Sequence, residues 1–118
     1  MATIVRKNLN DRIKNDTFDS VKFTIQDGNS VAIDLTGSAI ASKFRYRCKT
    51  GAVVKTLSIG SGITLTTPLS GIFHIDKFTP ITFEVGEYYY DIEITLASGD
   101  IKTYVWGTFD VLQDVTYT

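Results

Sequence analysis

Side chains that do chemistry are scarce in this chain of 118 residues, which holds one cysteine and one histidine. A single cysteine excludes an internal disulfide and a cysteine-based zinc site. A single histidine excludes a multi-histidine metal centre, and neither metal nor cofactor is expected. Neither sign of charge dominates, since 12 Lys and Arg stand against 13 Asp and Glu for a net charge of -1. No global field then draws the chain to nucleic acid or to an anionic membrane, and neither is expected as a partner. No apolar run approaches the ~20 residues of a membrane-spanning helix. The opening Met1-Ala2-Thr3-Ile4-Val5-Arg6-Lys7-Asn8 lacks the apolar stretch of a secretory signal, so folding in a cytoplasm is expected. A lone reduced thiol at Cys48 accords with that compartment.

What the chain does have is core material. With 43% hydrophobic and 12% aromatic residues it can pack an interior, which excludes general disorder. The length suits a single domain over residues 1–118, with 1–16 as an N-terminal arm or strand and 112–118 as a C-terminal tail. Its hydrophobic pattern has period two. Val21, Phe23 and Ile25 alternate with Lys22, Thr24 and Gln26, the mark of a half-buried strand. Ile40, Ser42, Phe44, Tyr46 and Cys48 share one face of a longer strand, with Lys43, Arg45, Arg47 and Lys49 on the other. Thr50-Gly51 reads as a tight turn that sets Cys48 opposite Val53, Phe44 opposite Leu57 and Lys55 inward opposite Tyr46. An inward lysine suits an edge strand, where it discourages pairing with another sheet.

Ile63 to Leu65 and Gly71 to Ile75 read as two shorter strands, and Thr79-Pro80 as a loop. In the last hairpin Tyr88, Tyr90, Ile92, Ile94 and Leu96 face inward. A Ser98-Gly99 loop pairs Leu96 with Ile101, Ile92 with Val105 and Tyr88 with Phe109. Gly107 then lies opposite Tyr90, where a missing side chain leaves room for the ring. Asn8 to Asp16 lacks periodicity and reads as a loop after a strand at Thr3 to Lys7. Roughly seven to eight short strands, with turn signals about every 8–12 residues and no convincing helix, predict an all-β, immunoglobulin-like antiparallel β-sandwich.

The polar residues find structural uses. Cys48 falls on the core side and His74 on an outer face, so a nucleophile–base pair is not expected. Asp91 and Glu93 would need an enclosing cleft to work as glycosidase acid and base, and read instead as a solvated face or as partners for Arg45 and Arg47 across the sheet. Asp27, Asn29 and Asp34 fit turns better than a calcium loop, because no closing glutamate follows. No catalytic, metal or cofactor residue is assigned, and no small-molecule substrate is expected. Tyr89, Tyr104 and Trp106 all point outward in the predicted register, beside Asp91, Glu93 and Lys102. Tyr and Trp are enriched at protein interfaces. These three, with Arg45 and Arg47, form the candidate partner interface, and the chain termini are secondary contacts. A covering of this face by the N-terminal strand or the Asn8 to Asp16 loop is the competing reading.

The run Gly86-Glu87-Tyr88-Tyr89-Tyr90-Asp91-Ile92-Glu93-Ile94, then Ser98-Gly99-Asp100, then Gly107-Thr108-Phe109-Asp110-Val111 and Asp114-Val115-Thr116 resembles a pattern in small bacteriophage virion proteins. Phe23 to Gly28 and Ile33 to Gly37 match its front half. Similar chains are immunoglobulin-like sandwiches of phage tails and necks, including the N-terminal domain of baseplate upper proteins. The resemblance implies a non-enzymatic structural protein of the tail or head–tail junction, residing in the virion after synthesis in the host cytoplasm. Its partners would be other virion proteins and copies of itself. The alternative from another class is a carbohydrate-binding or host-adhesion module using the same Tyr and Trp side chains.

Overall fold

Alternation of apolar and polar residues buries one side of each strand, and the elements follow that pattern. The computed structural model describes residues 5–48, 50–78 and 83–113. Within them the strands are β1 (Val5–Arg6), β2 (Arg12–Ile13), β3 (Val21–Thr24), β4 (Ala39–Tyr46), β5 (Val53–Ile59), β6 (Gly62–Thr67), β7 (Ile72–Ile75), β8 (Gly86–Thr95) and β9 (Ile101–Leu112). A 3-10 turn at Pro68–Ser70 joins β6 to β7.

Hydrogen bonding runs in the order β1-β9-β8-β4-β5-β6-β7-β3, with β2 also on β9. Between β5 and β6 the path turns a corner. Gly60 and Gly62 there adopt φ of +84° and +97°, which glycine reaches without a Cβ clash. The two strands meet through Ser58 with Gly62 and Ile59 with Ile63. The turn carries β6-β7-β3 across from β9-β8-β4-β5, so that the Phe23 ring of β3 lies 6.2 Å from the Tyr90 ring of β8. The chain is therefore all-β, an immunoglobulin-like sandwich as its pattern predicts. Pairing is antiparallel except for β1 and β2 on β9 and β5 on β6. The two-residue strands account for the excess over the predicted number.

One aromatic cluster fills the space between layers. Phe44 sits at its centre, fully buried, with the rings of Phe18, Phe83, Tyr90 and Phe109 at 5.4–6.2 Å. Phe23, Phe73, Ile63 and Ile75 close it from the second layer. Burial of each such side chain contributes about 1.5–3 kcal/mol.

The last hairpin keeps most of its predicted register: Tyr88 faces Phe109, Tyr90 faces Gly107 and Ile92 faces Val105. Nearer the turn it shifts by one, and Glu93 faces Thr103 while Thr95, not Leu96, faces Ile101. The extra residue is Tyr104. A β-bulge at this point turns it inward beside Val105, where it is 5% exposed. The outward position expected for Tyr104 is thereby corrected, and Lys102 moves opposite Ile94, off the face it was placed on.

A second correction concerns the end of β4. Arg47 takes φ +72° and donates its amide to the Glu87 carbonyl (2.8 Å), so the strand stops at Tyr46. Arg47 leaves the stripe, and Cys48, expected in the core, is exposed. The hairpin is also wider than a two-residue turn, the Tyr46 amide donating to the Ala52 carbonyl (2.9 Å). Ser42 faces Leu57 and Phe44 faces Lys55, a two-residue slip that keeps Leu57 inside because faces alternate with period two. Lys55 does point inward, its ammonium 4.1 Å over the Phe78 ring. The segment read as a loop from Asn8 to Asp16 contains β2, which pairs with Val111 and Leu112 and lays the Arg12 guanidinium 4.5 Å over Phe18. Thr3, Ile4, Lys49, the Thr79-Pro80 loop and the Val115 to Tyr117 tail lie outside the described residues.

Tyr90 ties the N-terminal strand to this frame. Its ring crosses Gly107, and its buried hydroxyl donates to the Lys7 carbonyl at 2.5 Å. The Lys7 amide donates to Trp106 (2.8 Å) and the Leu9 amide to Thr108 (2.9 Å). A Cβ at 107 would collide with the Lys7 carbonyl and press on the Tyr90 ring. Gly107→Ala should cost about 1–3 kcal/mol and release the Lys7 and Leu9 amides to hydrogen exchange. Unchanged protection at both amides would contradict this account of the glycine.

Burial, aided by Tyr46 and Glu84, pushes the Tyr88 phenol up to about 12. A free phenol ionises at ~10. The fold thus favours the neutral form, and this contribution is complete below about pH 10 and lost as pH climbs toward 12. Melting temperature should fall across that window, and less steeply in Tyr88→Phe. Equal slopes in the two chains would refute the assignment.

Candidate functional site

The outer face of the β9-β8-β4-β5 layer gathers most of the residues singled out from the sequence. Strand pairing aligns them in rows. One row runs Arg6, Trp106, Asp91, Lys43, Thr56 across β1, β9, β8, β4 and β5. The next runs Thr108, Tyr89, Arg45, Val53. Tyr89 and Trp106 are half-buried. The Arg6 guanidinium lies 4.9 Å over the indole, which makes the N-terminal strand a partial cover for Trp106 through one side chain. Arg45 is anchored by donating Nη1 to the Gly51 carbonyl (2.9 Å).

Long side chains beside short ones leave a concavity. A cleft of about 330 Å³ is lined by Lys43, Arg45, Tyr89, Tyr90, Asp91, Thr103 and Trp106. A second, of about 240 Å³, adjoins it over Ala41 and Glu93 and shares Lys43, Arg45 and Asp91. Of the five predicted interface residues, Tyr89, Trp106 and Arg45 meet here. Tyr104 is in the core, and Arg47 lies beyond the strand end with its guanidinium 4.9 Å over Tyr46. Thr103 enters in place of Tyr104 because of the bulge. The adjacent apolar pair Tyr104-Val105 is the trace that such a bulge leaves in sequence.

The charge ladder is re-paired as well. Asp91 stands opposite Lys43, Glu93 opposite Ala41, and Arg45 opposite Tyr89. Desolvation, reinforced by Glu93, holds the Asp91 carboxyl above its ordinary range against the pull of Arg45 and Lys43. A raised native pKa means that the charged form works against the fold: the stability tied to Asp91 is complete below about pH 4 and declines as pH rises through the native value. Asp91→Asn should therefore melt higher than the parent at pH 7 in dilute solution, and the gap should close below about pH 4. A lower melting point at pH 7 would reverse the reading.

The turn carboxylates, His74 and Cys48 are occupied locally. Asp27 Oδ1 accepts from the Val31 (3.0 Å) and Asn29 (2.8 Å) amides, and Asp34 Oδ1 from the Thr36 hydroxyl (2.6 Å) and amide (2.9 Å). Both carboxyls are held below the usual range by these bonds. His74 Nδ1 lies 2.6 Å from the Thr66 hydroxyl on β6, and the Cys48 thiol 3.7 Å from the Thr50 hydroxyl. Among the described residues no group of three or more His, Cys, Asp or Glu side chains could hold a metal ion.

No protein-family model matches the chain, and no curated protein matches it. Among solved structures, CopC from Methylosinus trichosporium OB3b is similar, with TM-score 0.51 and 17% identity over 92% of this chain and 89% of that one. Drosophila OTK, extracellular domains 3-5, gives TM-score 0.41 and 14% identity over 98% of this chain and 36% of that one. The likeness to CopC is one of fold alone.

Proposed function

We propose that the chain is a non-enzymatic structural protein of a bacteriophage virion, in the tail or at the head–tail junction, acting by protein–protein contacts in a multi-copy assembly. The observation that carries the contact reading is the cleft-bearing outer face, where half-buried Tyr89 and Trp106 are set among Lys43, Arg45 and Asp91. Interfaces favour Tyr, Trp and Arg at their centres. The virion assignment is supported by the resemblance of Gly86 to Ile94, Gly107 to Val111, Phe23 to Gly28 and Ile33 to Gly37 to small phage sandwich proteins.

Mass spectrometry of purified virions from the phage encoding this chain tests the proposal. The chain should be present in many copies. Tyr89→Ala with Trp106→Ala should drop at least tenfold in incorporation while the free chain keeps its fold. Absence of the parent chain from virions overturns the virion assignment, and normal incorporation of the double variant overturns the contact face.

A second reading has one observation in its favour. The cleft mixes donors, acceptors and aromatic walls, a combination that also suits a saccharide on a host-adhesion module. Glycan-array binding by the isolated chain, abolished by Trp106→Ala, would favour it.

A further inference from the structure

The charges on the outer face are sorted by strand. β4 presents Lys43 and Arg45, and its neighbour β8 presents Glu87, Asp91 and Glu93. These stripes are opposite in sign and one strand spacing apart. A partner of either sign would be attracted by one stripe and repelled by the other. A second copy of the same face has both stripes, and a two-fold operation can place each on its opposite.

We infer that this face pairs with a second copy of the chain about a two-fold axis lying in the interface, parallel to the strands and midway between β4 and β8. The inference rests on reading this face as a contact surface. Such an axis carries β4 of one copy over β8 of the other. Because Lys43 is in register with Asp91, Lys43 of each copy then stands over Asp91 of the other, and both pairs form at once. Arg45, in register with Tyr89, stands over Tyr89 of the second copy, a cation over an aromatic ring. Ala41 stands over Glu93 and leaves room for the longer side chain. The same operation sets β9 over β5, with Trp106 against Thr56. The two adjoining clefts receive the lysine and arginine side chains of the facing copy. A net charge of -1 leaves little long-range repulsion between copies.

Size sets the strength. Four overlapped strands about 4.8 Å apart, each over about seven residues, present roughly 450 Å² per copy. About 900 Å² in the pair is small for a specific interface. The dimer is therefore weak in free solution and gains from the local concentration of a multi-copy assembly.

Sedimentation of the full chain across rising concentration tests the pairing. The parent chain should pass from monomer to dimer. Lys43→Asp places like charges over Asp91, and Asp91→Lys places them over Lys43, so each variant should dimerise at least tenfold more weakly. Mixed in equal amounts, the two variants should recover a heterodimer, since both contacts between positions 43 and 91 then join opposite charges again. Lys43→Ala and Asp91→Ala, which add no new charge, should each weaken the dimer, and mixing them should recover one of the two contacts, since Lys43 of one variant then stands over Asp91 of the other; they serve if a reversed charge disturbs the fold. A parent chain that stays monomeric throughout, variants that dimerise like the parent, or a reversed-charge mixture without heterodimer overturns the two-fold pairing. Virion incorporation read in parallel separates the two proposals. Incorporation of a parent chain that does not self-associate removes only this pairing, and self-association of a parent chain absent from virions removes only the virion assignment.

Discussion

The Tyr90 ring lies across Gly107 so that its hydroxyl can reach the Lys7 carbonyl, and much of the molecule depends on that crossing. It joins three parts of the chain far apart in sequence. Residue 107 must be glycine for the ring and the carbonyl to share the space, and residue 90 must be long enough and polar at its tip to span it. Burial drives the phenol pKa upward, which keeps the hydroxyl a donor at every ordinary pH. With Lys7 held, the Arg6 guanidinium is placed over Trp106 and the Lys7 ammonium 4.9 Å over Phe23 and 3.1 Å from the Lys22 carbonyl. A core aromatic thus governs both an edge of the sandwich and a residue of the proposed contact face.

The core and the outer face are two sides of the same strands, so any change of register exchanges their residues. The bulge at Tyr104 is the clearest case. One extra residue on β9 sends Tyr104 inward and brings Thr103 opposite Glu93. The cleft owes its shape to that exchange, since a tyrosine at this place would fill what a threonine leaves open. Arg47 is lost to the face by another local event, a left-handed backbone at the end of β4.

Which parts of this could be read from sequence follows from the range of each interaction. Alternation at Val21 to Ile25, Ile40 to Tyr46 and Tyr88 to Ile94 is local and strong, and those faces match the pattern. Gly107 opposite Tyr90 was legible because only one residue there lacks a side chain. The bulge was not, because its one trace, the adjacent apolar pair Tyr104-Val105, also fits an uninterrupted strand with Tyr104 outward. The pairing of Arg12 and Ile13 with Val111 and Leu112 spans nearly the whole chain, and two residues are too few to show a period. At the β4–β5 hairpin the turn residues suggested a shorter loop than the one formed. Period two nonetheless protected the assignment of Leu57 to the core. For the candidate site, Tyr89, Trp106 and Arg45 were legible from alternation alone, Lys43 and Asp91 were legible only as outward residues, and the alignment of all five into rows required the cross-strand register.

A chain with one histidine, one cysteine and a near-neutral surface works through shape and contact in this account, with Trp106 and Tyr89 covered when the assembly forms. Hydroxyl-radical footprinting reads that covering directly. Both side chains should oxidise readily in the isolated chain at low concentration and become protected at least several-fold in the assembled state, while a residue remote from the face such as Leu69, 74% exposed, changes little. Equal oxidation of Trp106 and Tyr89 in the two states would contradict the account.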